Sequence, residues 1–466
     1  MIEQHINTAR ASDRERVVPS QIAVFAVLIV AGHVLLAFLL KDNRSLATLH
    51  AAATLSIGLW FALSTRKIER IVYISSYIVG AELIWRMSGG SLFWELGKYG
   101  LSAILLISTL RMRRLRFNVP ILIYFLLLLP SISMVLGDGT IEEARQQISF
   151  NLSGPFTLMI CVFFFERLRL SSAHLIKLFL FAIGPAVTVA TLAIVSTFTA
   201  ETISFSDSSN FVTSGGYGPN QVSAILGLGA LFAFLIFILS QKEMRSLSRI
   251  MFVVIIILGF QSALTFSRGG IYLAFLSAVI SLLYFLREPR LKAKVILTTF
   301  LLFVVTTFLI VPQLDSFTGG AFKKRYENPS TTGRDTLVKS DLQVWKDNLI
   351  SGVGPGEARF HRSSGDEGHV AHTEFSRLLA EHGLYGLGAL LMLLIAMFRS
   401  FARAGTNLEK AVTASLFCWS FLYMAIDAMR LAAPSFIFGL AFASFYLRSN
   451  IDFKPIWEPR KRRIVW

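Results

Sequence analysis

Fourteen stretches of this chain are predominantly apolar for 15 to 24 residues, and that pattern constrains the fold more than any motif. They run Gln21–Leu40, Leu46–Ser64, Ile71–Met87, Leu92–Leu110, Val119–Leu136, Asn151–Phe165, Leu175–Phe198, Val222–Leu239, Ile250–Phe266, Ile271–Leu286, Val295–Val311, Phe375–Phe398, Ala411–Ile426 and Ala432–Leu447. Most approach the roughly 17–25 residues that carry a helix across hydrocarbon. Lipid offers no partners to backbone polar groups, so each stretch must satisfy its own, as a helix does. Only 16% of the 466 residues are charged, against about 25% in a soluble domain. The expected fold is all-α, a polytopic transmembrane helical bundle of about fourteen spans. A disordered chain, a disulfide scaffold and a typical soluble enzyme are excluded. Cys161 and Cys418 both lie in apolar runs, which argues against a disulfide framework or metal cluster. A polar stretch precedes a first apolar run too long for a cleavable signal.

The net charge of +16 would suggest nucleic acid in a soluble protein. Here the basic residues mark alternate connections, so they read as cytoplasmic loops and no nucleic-acid partner is expected. Arg66, Lys67 and Arg70, then Arg111 to Arg116, Lys242 to Arg249, Arg287 to Lys294, and Arg399 to Lys410 all fall on one side. Arg10, Arg14, Arg16 and the basic tail join them, which puts both termini in the cytoplasm. Asn151–Phe165 is the weakest span. Without it every later basic loop would lie outside. The expected division is residues 1–311 with eleven spans, 312–372 as a large outer loop, and 373–466 with three spans and the tail. Loops that long are uncommon and usually functional. No internal repeat of fixed period is evident, which weakens a repeat-built transporter reading.

Within the loop, Val338, Leu342, Trp345 and Leu349 recur at helical spacing. They predict an amphipathic helix over Gly333–Ile350, opened by a Thr332/Asp335 capping box and stopped by Gly352. Arg334 falls in its first turn, where a cation opposes the macrodipole. It is either a solvated surface residue or part of an anion site. Arg268 sits in TFSRGG between two spans, at a depth costly for a cation unless it pairs or faces water. Snorkelling at a helix end is the alternative.

Further charges close the outer ends of spans: Glu82 with Arg86, Glu95 with Lys98, and Asp427 with Arg430. Helical spacing makes local pairs the default for each. With Arg145, Arg268 and Arg334 they form candidates for a basic chamber around a phosphorylated substrate. His361, His369 and His372 fall close together around Asp366 and Glu367. Their spacing matches no strong metal motif. A general base is the better reading, and His372, where the loop re-enters the membrane, is the candidate. His33 and His50 read as core residues without partners. Glu381 and His382 read as packing residues. Asn220 either binds a sugar hydroxyl or caps its helix, the cap being favoured. SGVGPG, with Gly354 and Gly356, is not a P-loop, and no dinucleotide fingerprint is present.

TFSRGG, TTGRD, LISGVGPG and AHTEFSRLLAEHGLYG stand in that order between about Ile250 and Phe398. The set resembles the bacterial O-antigen ligase and polysaccharide polymerase superfamily. The strongest piece is His372 and Thr373, then nine residues, Gly383, two more and Gly386. Where the ligase pattern usually has Asn, Ser or Gln after the histidine, this chain has Thr373. The resemblance implies a GT-C-like glycosyltransferase at the periplasmic face of the bacterial inner membrane. It implies an undecaprenyl-pyrophosphate-linked glycan as donor, an acceptor glycan or lipid A-core, inversion at the sugar carbon, and neither metal nor cofactor. Other polysaccharide assembly proteins and the lipid bilayer are the remaining partners. By motif, Arg268 and Arg334 would hold the pyrophosphate and His372 would activate the acceptor. Arg86, Arg145, Asn220, Arg430, Gly354 and Gly356 are secondary candidates. The span number and Thr373 lean toward a polymerase for exopolysaccharide, capsule or O-antigen. A ligase acting on lipid A-core and a lipid-linked glycan flippase are the alternatives, with a structural subunit of an export complex as the bland one.

Overall fold

A computed structural model describes residues 19–65, 67–112, 117–136, 140–240, 242–328, 333–362 and 367–447. The basic termini, Arg66, Arg113, Arg114, Arg116, Thr332 and Asp366 lie outside the described residues. The chain is almost entirely helical: α1 Pro19–Leu40, α2 Arg44–Ser64, α3 Ile68–Met87, α4 Leu96–Arg111, α5 Val119–Leu126, α6 Ile132–Val135, α7 Ile141–Phe165, α8 Ser172–Thr199 and α9 Pro219–Leu239 form the first part. They are followed by α10 Arg245–Leu264, α11 Arg268–Phe285, α12 Pro289–Val305, α13 Val311–Phe317, α14 Ala321–Glu327, α15 Arg334–Asp347, α16 Glu374–Arg403, α17 Asn407–Ile426 and α18 Ala432–Leu440. Two three-residue strands, β1 Arg169–Ser171 and β2 Ser444–Tyr446, pair in parallel.

Nine helices among the described residues are long and apolar enough to cross a membrane, which makes this a multi-pass membrane protein. The other five expected spans differ in kind. Ile71–Met87 lies in α3, whose Glu69, Arg70, Glu82 and Arg86 make it the most charged of them. The α4 helix has only 16 residues, and α17 has 20. Val119–Leu136 is not one helix: α5 stops at Leu126, ahead of Pro130, and α6 is a four-residue turn. Ala432–Leu447 is a nine-residue helix followed by β2. An apolar run measures burial, and α18 is buried along its whole length by protein.

The expected start of the outer loop at Pro312 lies inside a continuous helical stretch reaching Phe317. Proline lacks the N–H of the ladder and crowds the carbonyl one turn back. Here the preceding turn widens to a π-helical one over Thr306–Ile310, with Val311 N–H donating to Thr306 O. Such widened turns absorb a misfit residue without ending the helix.

The amphipathic loop helix forms as α15, with its buried stripe shifted by one residue. Leu337, Asp341 and Val344 are buried, while Leu349 and Ile350 are exposed. The stripe is misread from hydrophobicity because its centre is a carboxylate. Asp341 pairs with Arg362 at 2.7 Å, both side chains being at most 1% exposed.

Gly383 interrupts α16 with φ 59° and ψ −134°. The break frees backbone groups of the helix, and the glycine-rich segment supplies their partners. Val353 N–H donates to Ala380 O at 3.1 Å and Gly354 N–H to Glu381 O at 2.9 Å. Leu384 N–H donates to Leu349 O at 2.8 Å. A Cβ on Gly383 would stand 2.5 Å from Ile350 O, and one on Gly386 would stand 1.9 Å from Leu378 O. Both glycines of the re-entry motif are therefore packing requirements. Gly386→Ala is expected to lower the thermal midpoint of the detergent-purified protein by several degrees. Gly259→Ala, where a Cβ meets nothing within 4 Å, is expected to leave it unchanged or slightly raised. Equal midpoints for both variants would remove this account of the motif.

Candidate functional site

One end of the bundle collects the C-termini of α3 and α17, the N-termini of α9, α11, α16 and α18, and the long connection. At its centre is the turn from Asp427 to Leu431, which buried charges of three other helices hold. Glu82 of α3 accepts from Ala432 N–H at 2.7 Å, capping α18, and pairs with Arg86 at 2.6 Å. Arg86 in turn donates to Arg430 O at 3.2 Å and to Trp94 O at 2.8 Å, with its guanidinium 4.1 Å from the Trp94 ring centroid. Lys98 does not pair locally with Glu95; fully buried, its ammonium reaches Met429 O at 3.4 Å. Glu374 accepts from Met429 N–H at 3.3 Å and pairs with Arg377 at 2.5 Å. Arg377 also pairs with Glu381 at 2.6 Å. Glu381 is thus an ion-pair partner, and its neighbour His382 bonds Ser131 Oγ from a fully buried position.

Arg430 projects from this turn and donates to Ala371 O at 2.8 Å, beside His372. Its guanidinium lies 3.8 Å from Asp427. Arg334, in the first turn of α15, is within electrostatic reach of Asp427, Arg268 and Arg430. Burial and then these two arginines press its pKa below the usual guanidinium range, while Asp427 opposes them. Burial likewise pushes the Asp427 carboxyl up, against Arg430 and Arg334. The sequence candidates Arg268, Arg334, Arg430 and His372 are therefore brought together.

Arg268 opens α11, and its placement follows from the glycines after it. A Cβ on Gly270 would lie 1.9 Å from Ser223 O, so α11 packs directly on the backbone of α9. Arg268 donates to Asn328 O. Beside it stands Arg325 of α14, 4% exposed and unremarked in the sequence, whose guanidinium donates to Phe266 O at 3.1 Å and to Asp207 O. Its pKa is lowered by burial, then by Arg268, with Arg334 adding to the effect. Asn220 does not cap α9. Its Oδ1 accepts from Ser267 Oγ at 2.8 Å, fixing the residue before Arg268.

His372 is held by the start of α16. Thr373 is the N-cap, its hydroxyl accepting from Ser376 N–H at 3.1 Å. Ser376 Oγ donates to Asp341 at 2.7 Å, and Asp341 holds Arg362. His372 Nδ1 is buried without a hydrogen-bond partner among the described residues. Burial first, then Arg430, Arg334 and Arg362, hold its pKa down to about 4. The imidazole is accordingly neutral near pH 7, the state that accepts a proton. His369 lies within electrostatic reach of His372, but among the described residues no group of His, Cys, Asp and Glu is placed to hold a metal ion.

Three secondary candidates stand apart from this cluster. Arg145 pairs with Glu142 at 2.6 Å on the surface. Gly354 and Gly356 take φ of 100° and 83° in the segment docked on α16, where a Cβ would strike Val135 and Asn151 respectively. His50 is not partnerless: Trp85 Nε1 donates to its Nδ1 at 2.9 Å, and its Nε2 meets Tyr77 OH at 2.9 Å.

Residues 259–391 match the family model described as O-antigen ligase. That stretch includes Arg268, Arg325, Arg334 and His372 but neither Arg86 nor Arg430. No curated protein matches the chain. The similarity supports a membrane enzyme of glycan assembly. If buried charge fixes the 427–431 turn, Glu82→Gln leaves Arg86 without its counter-ion in a buried place. Breaking such a pair costs about 3–5 kcal/mol, so a marked fall in thermal midpoint is expected. Glu142→Gln, on the exposed pair, is expected to leave the midpoint unchanged.

Proposed function

We propose that this chain transfers a glycan from a polyprenyl-pyrophosphate carrier to an acceptor hydroxyl, at the end of the bundle where the guanidiniums converge. The observation that carries the reading is a neutral imidazole, His372, with an unpartnered Nδ1, set beside Arg334 and Arg430. In this reading the acceptor O–H bond breaks as the acceptor oxygen bonds the anomeric carbon. The proton passes to His372. The bond from that carbon to the pyrophosphate oxygen breaks, and its electron pair leaves with the carrier. Charge grows on the departing pyrophosphate, so fixed guanidiniums favour the transition state over the ground state. Arg268 and Arg334 are assigned to the pyrophosphate, with Arg430 and Arg325 beside them. A multi-pass, GT-C-like arrangement with cytoplasmic termini and a periplasmic site in the inner membrane belongs to the same proposal.

Of the acceptor classes, lipid A-core is the one we favour, because the matched family is described as O-antigen ligase. Thr373 does not argue for the polymerase. It serves as an N-cap, a task that Ser and Asn perform equally well. A polymerase remains the outcome if purified protein, given a lipid-pyrophosphate-linked repeat unit, builds a ladder without core. A single transfer that requires core supports the ligase. Movement of lipid-linked glycan across a bilayer with no transfer supports the flippase.

His372→Ala is expected to slow transfer by about 10²–10⁴-fold, and Arg334→Ala by about 10²-fold or more. Full activity in both variants overturns the site.

The pH dependence carries a further test. His372 is a base only when neutral, so activity rises with pH through its pKa. In the free protein that limb in kcat/KM is expected near 4, well below the ordinary value of about 6.5. A bound pyrophosphate offsets the field of Arg334 and Arg430 and raises the pKa. The limb in kcat, which reports the loaded enzyme, is therefore expected at higher pH than the limb in kcat/KM. The reverse order would contradict the assignment of both base and anion site.

A further inference from the structure

A cleft of about 570 Å³ lies next to the arginine cluster with Ala371 in its wall. The side chains of Phe93, Trp94, Tyr99 and Phe150 line it, together with Gln147 and Arg359. Phe93 and Trp94 are 58% and 40% exposed. Aromatic residues at helix ends commonly form a belt facing lipid. These four instead line a concavity whose other walls carry amides and ion pairs. Trp94 has Arg86 over its ring, and Arg86 reaches Arg430 O, so the cleft and the guanidinium cluster share a wall.

Two polar atoms of this lining, Gln147 Oε1 and Arg359 Nε, are buried without a hydrogen-bond partner among the described residues. Leaving such atoms unpaired is costly, and it calls for an explanation at each place. An acceptor and a donor in an aromatic-lined cleft suit a ligand with both hydroxyl groups and apolar C–H faces. Amphipathic contact of this kind is what aromatic rings beside a few placed polar groups provide. The charges argue against a second pyrophosphate site. Of the four arginines in the lining, Arg145, Arg362 and Arg377 are each paired with a carboxylate, and Glu95 and Glu143 face the same space as Arg359.

We propose that this cleft binds a neutral stretch of saccharide chain and presents its terminal hydroxyl across Ala371 to His372, making it the subsite for the acceptor glycan. The assignment to the acceptor rests on the transfer reaction proposed above; the assignment of saccharide chemistry does not.

The test is equilibrium binding to the full chain in nanodiscs, with deacylated lipid A-core oligosaccharide and undecaprenyl pyrophosphate as separate probes. Gln147→Ala removes an atom with no partner in the fold, so loss of binding does not come from lost structure. The variant is expected to bind the oligosaccharide about tenfold more weakly, the scale of one buried group left unpaired. Trp94→Phe, which keeps a ring, is expected to lose less than Trp94→Ala. Undecaprenyl pyrophosphate is expected to bind Gln147→Ala as it binds the parent. Oligosaccharide binding that is absent from the parent, or unchanged in Gln147→Ala, overturns the cleft. Loss of undecaprenyl pyrophosphate binding in Gln147→Ala overturns its acceptor role. If the parent binds the oligosaccharide through Gln147 but fails to bind undecaprenyl pyrophosphate, the transfer reading fails while the saccharide cleft stands.

Discussion

The site depends on buried charge that never meets substrate in the proposed reaction. The turn from Asp427 to Leu431 has no regular structure of its own, yet it carries Arg430 and orders the entry to α18. Glu82, Arg86, Lys98 and Glu374 reach it from three helices, and each spends a charge on a backbone group of the turn or on another buried charge. Charges taken out of water are stable only when they are paired and hydrogen-bonded. The network therefore specifies one arrangement of the turn, because any displacement leaves a carboxylate or a cation unpaired. Trp419, Tyr423 and the fully buried face of α18 pack around the same region and hold the helices that supply these charges.

A second constraint is the break in α16. A continuous helix would satisfy its own backbone and leave the glycine-rich segment after α15 with nothing to bind. The left-handed residue at Gly383 exposes carbonyls of the last turn before it, and Val353 and Gly354 donate to them. The connection is thereby sewn to a membrane helix by backbone hydrogen bonds. The Thr373 cap and the Asp341–Arg362 pair hold its other side. His372 sits between these two attachments. Its position is thus fixed by the backbone on one flank and by a buried ion pair on the other.

The electrostatics of His372 follow from that position. Burial and the surrounding arginines both oppose a proton on the ring. A group in such a field is a weak base while the cluster is empty of anions. It strengthens when an anion enters, since the opposing charges are then compensated. In the proposed reaction, the same guanidiniums that would attract a pyrophosphate restrain the proposed base until one is present. That coupling is a consequence of placing cations and imidazole within reach of one another, and it requires no moving part.

The sequence by itself determined that the chain lives in lipid. Long apolar stretches leave the backbone no alternative to the helix, and nine described helices meet that standard. It also singled out Arg268 and Arg430 at the ends of apolar spans, Arg334 in the first turn of the loop helix and His372 at the re-entry as candidates, and the fold sets them within electrostatic reach of one another. Tertiary structure decided the rest. Hydrophobicity cannot separate a lipid-facing span from a helix buried in protein, which is why Ala432–Leu447 looked like a span and is a nine-residue helix. Nor can it find Arg325, Lys98 or the Asp341–Arg362 pair, because a charge reads as solvated until its partner, tens or hundreds of residues away, is brought beside it. Local spacing misplaced the stripe of α15 for that reason, and it assigned Glu95 to Lys98 and a cap to Asn220. Each of these choices was settled by a distant group competing successfully for the same hydrogen bond or charge.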